Sequence, residues 1–167
     1  MIVKKEQDYV VGFFFYEATQ MLHKRTLTKM KVAQAMKNEE GETAAAHLMI
    51  PVAVNAAFAC ELFIKSFLTV QEDNHRKHKL ETFFNKLEAT AKNAIIKITI
   101  EQMKDEVDGI EFYKKLKNIS NTYKSMRYPT NWNSDDEALQ LDFLVAFMEA
   151  LYIYGRPSIT EIAKSKQ

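Results

Sequence analysis

Apolar residues in this chain recur three and four positions apart over long stretches, the spacing of helices with one buried face. From about Glu6 to Lys37, Val11, Phe14, Phe15, Ala18, Met21 and Leu22 carry that spacing, either in one helix or in two broken near His23 to Thr28. A second helix begins near Thr43 or Pro51 and runs to Val70. Val52, Ala56, Ala59, Phe63 and Ser66 lie along one of its sides, and Phe58, Leu62 and Phe67 broaden it. His78 to Thr90 gives Leu80, Phe83, Phe84 and Leu87, an amphipathic helix of about three turns. Ile95-Ile96-Lys97-Ile98-Thr99-Ile100 suits a strand by composition. No second strand offers it a partner, and a lone strand leaves its backbone unpaired, so helix is expected.

Capping signatures open two more helices. Asp108 with Glu111 precedes Ile110, Phe112, Tyr113, Leu116, Ile119 and Tyr123; Ser134 with Glu137 precedes Leu139, Leu141, Phe143, Leu144, Phe147, Met148, Leu151 and Tyr152. The chain holds only 4 Gly and 3 Pro, so each reads as punctuation. Gly41 closes the first region, Pro51 stands near the start of the second, Gly109 opens a later helix, Pro129 interrupts another, and Gly155 with Pro157 closes the last. The expected fold is all-α, a bundle of five to six helices forming one domain over residues 1–155, followed by a polar tail, 156–167.

Composition narrows the function. The 167 residues are 47% hydrophobic and 27% charged, enough to build a core without staples. The net charge of +1 gives no general pull towards nucleic acid or membrane, though it leaves room for a local basic patch. The start of the chain, Met1-Ile2-Val3-Lys4-Lys5-Glu6, lacks the basic-then-apolar order of a signal peptide. Asn55, Glu61 and Lys65 interrupt the longest apolar stretch, which reads as a buried helix rather than a membrane span. Cys60 is the lone cysteine, set among Ala59, Leu62 and Phe63 as a small core residue, so a reducing, cytoplasmic setting is expected.

Three stretches carry a family resemblance. Pro51 to Leu68 places small residues before Glu61 and, four later, Lys65. His78-Lys79-Leu80-Glu81-Thr82-Phe83-Phe84-Asn85-Lys86-Leu87 follows, and Asn121-Thr122-Tyr123-Lys124-Ser125-Met126-Arg127-Tyr128-Pro129 completes the set. In order and spacing these resemble the HEPN family, over roughly half the chain. The resemblance implies a helical bundle, frequent homodimers, and a role in bacterial or archaeal toxin–antitoxin pairs, phage defence or RNA processing, often beside a nucleotidyltransferase; no cofactor is expected. Catalytic members carry Arg, four to six residues, then His, as a metal-independent ribonuclease centre. Here Arg127 is present, but no histidine occurs after His78. Asn131 and Asn133 cannot replace it, because an amide does not titrate near neutrality. The resemblance therefore implies a non-catalytic binding or regulatory protein; the alternative is a divergent ribonuclease centred on Arg127 with His78 or Tyr128 as base.

Each candidate has a functional and a plainer reading. Arg127 holds a phosphate with its fork of donors, or pairs with Glu61 to anchor the Arg-Tyr-Pro turn. Glu61 and Lys65 are spaced to pair with each other on one helix edge. His75, Arg76, Lys77, His78 and Lys79 form a basic loop that contacts RNA or is simply solvated. Lys114, Lys115, Lys117, Lys124 and Arg127, interleaved with Tyr113 and Tyr123, would bind single-stranded nucleic acid, or form a charged outer face. Trp132 anchors a polar loop or offers a stacking platform. His75 and His78 lack the cysteine or helical histidine partners of a zinc site, so no metal is expected. Phe13-Phe14-Phe15-Tyr16 points in every direction around a helix, so at least one of them must face another helix or another subunit.

Overall fold

The computed structural model describes residues 4–69, 79–104, 107–126 and 140–165, with backbone alone for residues 4, 121–126 and 157–165. All the regular structure among them is helical: α1 (Lys4–Ala35), α2 (Glu39–His47), α3 (Met49–Phe67), α4 (Leu80–Asn85), α5 (Ala89–Gln102), α6 (Gly109–Met126) and α7 (Leu141–Ser165). The chain is thus an all-α bundle. Only Leu48, itself in helical conformation, separates α2 from α3.

The first region is one helix of 32 residues. Nothing breaks it between His23 and Thr28, because the threonines there satisfy themselves within the helix. Thr26 donates to Leu22 O at 2.8 Å and Thr28 to Lys24 O at 2.9 Å, bonds that leave the helical ladder intact. The helix stops at Lys37, not Gly41. Lys37 takes φ 52°, and its N–H and that of Asn38 bond back to Gln34 O and Ala33 O, a Schellman closure with lysine where glycine is usual. Gly41 instead lies in the first turn of α2, donating its N–H to Asn38 Oδ1 at 3.0 Å.

The β-branched run 95–100 lies within α5, as the missing partner strand required; Ile95 and Thr99 are buried, and Thr99 donates to Ile95 O at 2.8 Å. The three-turn helix expected over His78 to Thr90 is shorter. It closes at Lys86, Glu88 becomes extended (φ −56°, ψ 147°), and α5 starts at Ala89. That break lets Leu87 and Ala91 both enter the core. Asp108 caps α6 as read, accepting the Glu111 N–H at 2.7 Å. The Ser134–Glu137 cap, Pro129 and the Arg-Tyr-Pro turn lie outside the described residues. At the other end α7 runs through Pro157 to Ser165, where a stop near Gly155 was expected. A proline removes a single ladder bond, and α7 is already held by a run of buried residues from Leu141 to Gly155.

One hydrophobic core runs through the assembly. The α2–α3 stretch folds back antiparallel along α1, pairing Phe15 with Phe58 and Tyr9 with Phe63 and Phe67. On α3, Val52, Ala53, Ala56, Ala57, Ala59, Cys60, Phe63 and Ile64 are all buried. By length and composition this stretch could cross a membrane; its apolar side chains are instead spent on contacts with α1, α2, α4, α6 and α7. Two aromatic lobes fill the interior. Tyr9, Tyr16, Phe63 and Tyr152 form one, and Phe84, Phe112, Phe143 and Phe147 the other.

The buried side of α1 only partly matches the side its apolar periodicity marks, for Phe15 and Leu22 pack against the core. Tyr9, Gly12, Tyr16, Thr19, Thr26 and Ala33 face the core, while Val11, Phe14 and Met21 are exposed. Gly12 is part of the reason: a Cβ there would sit 3.0 Å from Phe63 Cδ1, so the backbone of α1 lies directly on the α3 aromatic. Of Phe13 to Tyr16, three pack inside the molecule and Phe14 points outward.

Candidate functional site

The structure brings together one predicted pair. Glu61, 4% exposed, ion-pairs with Lys65 one turn along α3, and the Lys65 ammonium lies 5.0 Å from the centroid of the Phe83 ring on α4. A buried carboxylate requires a partner, and a lysine held between carboxylate and ring face gives it one. This arrangement joins α3 to α4. Nearby, the Glu81 N–H donates to Ser120 Oγ at 2.8 Å and Ser120 donates to Leu116 O at 2.7 Å, tying the first turn of α4 to α6. Arg127, Tyr128, Trp132, His75, Arg76, Lys77 and His78 lie outside the described residues. Lys124 is on the helical backbone of α6, with no side chain described.

Three lysines of the basic set on α6 have described side chains. Lys114 and Lys115 each approach Glu111 at 3.8 Å, Lys117 is exposed, and Tyr113 is half-exposed beside buried Phe112. Ile110, read as part of the apolar side, is exposed. Cys60 is fully buried and burial pushes its thiol well above the ordinary range, so it is an inert core residue, as expected from its neighbours. Among the described residues no three His, Cys, Asp or Glu side chains gather as metal ligands.

Two features went unread in the sequence. The first is a polar clamp between α1 and α7. Tyr16 Oη and Gln20 Nε2 both donate to Glu149 Oε2 at 2.9 Å, and the Tyr152 ring stacks on Tyr16 at 4.2 Å. Burial first, then the bond to Glu149, raises the Tyr16 phenol far above its usual range, so it stays a hydrogen-bond donor. Glu149, set in the apolar run from Phe143 to Tyr154, was the available signal.

The second feature is an apolar stripe along the outer side of α1. Phe14 is 64% exposed, Met21 73%, Val32 53% and Met36 72%, with Val10 and Val11 beside them. Beside its C-terminal end a hollow of about 350 Å³ opens between α1 and α2, with apolar Val32, Ala33, Met36, Ala44 and Ala45 and polar Thr28, Lys29 and Asn38 in its lining. These apolar side chains collect on one exposed face of the helix rather than scattering around it. Comparison with known protein families, with curated proteins and with solved structures gives no match to this chain.

Proposed function

We propose that this chain is a non-catalytic, HEPN-like binding or regulatory module, acting in the cytoplasm as a homodimer in a toxin–antitoxin, phage-defence or RNA-processing setting. The observation that carries a binding role is the exposed apolar stripe on α1, a surface whose natural use is to be covered. Two features agree with it. The acidic residue of the resemblance, Glu61, is engaged in a structural ion pair, and the Arg127 segment is followed by no histidine. In this reading Arg127, Lys124, Arg76 and Lys77 supply contacts to RNA phosphates, or to a nucleotidyltransferase-type partner protein, with no metal or cofactor required.

The test is RNA cleavage by purified protein in excess EDTA, with Arg127→Ala in parallel. No cleavage by either protein, together with retarded RNA migration that weakens in Arg127→Ala, is the expected result. Cleavage by the wild type that vanishes in Arg127→Ala overturns the reading in favour of a ribonuclease, with His78 and Tyr128 as the first bases to replace.

A further inference from the structure

We infer that the C-terminal half of α1, from Met21 to Met36, together with the hollow beside it, is a docking groove for an amphipathic helix of a partner protein with acidic residues along one edge. The inference rests on the reading of this chain as a binding module and names the chemistry of what it binds.

The groove has an apolar floor and two unlike edges. Met21, Val32 and Met36 run along the floor, each more than half exposed, and buried Ala33 and Ala45 lie in the lining of the hollow. A Cβ at Gly41 would stand 3.1 Å from Ala33 Cβ, so α2 covers the Ala33 side of α1. Lys24 and Lys31 occupy the opposite edge, about 80–100° round the helix from Val32. Arg25 stands within the floor, about 20° from Val32, and Lys29 reaches the hollow. All four bases are exposed, and none forms an ion pair with a described residue.

Charge selects the occupant. From Met21 to Lys37 the chain carries Lys24, Arg25, Lys29, Lys31 and Lys37 and no acid. The α2 edge offers little to balance them. Glu40 and His47 share the side of exposed Ala44, four positions before it and three after, while Glu39 and Glu42 fall about 140° or more round from it. A partner's carboxylates therefore lie over Lys24 and Lys31, its apolar side rests on Met21, Val32 and Met36, and one of its larger side chains fills the hollow. Exposed methionines suit such a contact, because they repack around whatever shape they meet. The floor is about 22 Å long, room for about four turns of helix; beyond it Glu17 and Asp8 turn α1 acidic and end the complementarity. A lipid surface is the poorer fit. It would have to take in the Arg25 guanidinium at the centre of the floor, which a partner helix meets with a carboxylate.

Fluorescence anisotropy with three labelled synthetic peptides of about 16 residues tests the groove. The first has leucine at alternating third and fourth positions with glutamate between, the second has lysine for glutamate, and the third has the composition of the first with its leucines scattered. The first is expected to bind at micromolar concentration, the third about tenfold or more weaker, and the second not at all. Val32→Glu, and Lys24→Glu with Lys31→Glu, should each weaken the first peptide about tenfold or more with helical circular dichroism unchanged; the double variant should gain affinity for the second. No binding of the first peptide, equal binding of the first and third, or binding indifferent to Val32→Glu overturns the inference. So does flotation with phosphatidylserine vesicles that Val32→Glu abolishes, which gives the face to a membrane, or a dimer in sedimentation that Val32→Glu dissociates, which gives it to a second copy. The RNA-cleavage assay separates the two conclusions. A protein that binds no peptide and cleaves no RNA refutes this inference alone, and one that binds the first peptide and cleaves RNA refutes only the non-catalytic reading.

Discussion

Gly155→Ala sets a local rule against tertiary packing, and the two predict opposite signs. Within a helix, alanine is favoured over glycine by about 1 kcal/mol, so a helix considered by itself gains from the change. In the folded protein a Cβ at 155 would stand 2.1 Å from Tyr9 Cε2 and 2.9 Å from Phe67 Cε1 and Cζ. The Tyr9 ring would have to retreat by more than 1 Å, and it has nowhere to go. It packs on Phe63 at 4.8 Å and Phe67 at 6.1 Å between centroids, and its hydroxyl donates to Tyr152 O at 3.1 Å. Overpacking of this kind costs about 1–3 kcal/mol, and loss of the Tyr9 bond adds about 1 kcal/mol. After the propensity gain, a net loss of about 2 kcal/mol is expected, or about 4–8 °C in Tm for a chain of this size. Urea and thermal unfolding followed by circular dichroism measure it directly. Gly109→Ala is the control, because its Cβ would meet nothing within 4 Å; it should be neutral or slightly stabilising. A Gly155→Ala protein as stable as the wild type, or more so, refutes the argument that α7 and α1 are in contact through this glycine.

Tyr9 and Tyr16 both lie in the core with phenols raised above 10.0, Tyr9 by burial first and then by Tyr152, Tyr16 by burial first and then by Glu149. The unfolded chain therefore releases these protons at lower pH than the folded one. Their contribution is constant below pH 10 and is lost above it, at about 1.4 kcal/mol per pH unit for each tyrosine. Urea midpoints measured on either side of pH 10 should fall with rising pH, and Tyr16→Phe should reduce that slope; a slope unchanged in the variant contradicts the assignment. Lys37→Gly should stabilise the protein by about 1 kcal/mol, because glycine adopts φ 52° without the strain of a side chain. A lower urea midpoint for that variant would show that the Lys37 side chain contributes more than its backbone costs.

Helix content was legible in the sequence because three- and four-residue spacing is written locally. The Asp108 cap followed from two residues three apart, and the helical state of 95–100 from the want of a partner strand. Lys65 and Glu61 also paired as their spacing on α3 foretold. Less legible was where helices end, since glycine and proline mark conformational permission rather than necessity. Lys37, a residue with no turn preference, closes α1 because α2 must fold back there, and Pro157 fails to stop a helix anchored by packing.

What the sequence alone determined, then, is an all-α chain with one buried apolar helix in its middle and no second cysteine to staple it. Tertiary structure decided which side of α1 faces inward. Periodicity marks an apolar stripe, but a second candidate side, Tyr9, Gly12, Tyr16 and Thr19, combines a gap for Phe63 with polar groups that find partners on α7 and on the helix itself. Close packing rewards the face whose shape fits its neighbour, not the face richest in carbon. Of the periodic set, Val11, Phe14 and Met21 were left outside, while Phe15 and Leu22 joined the core.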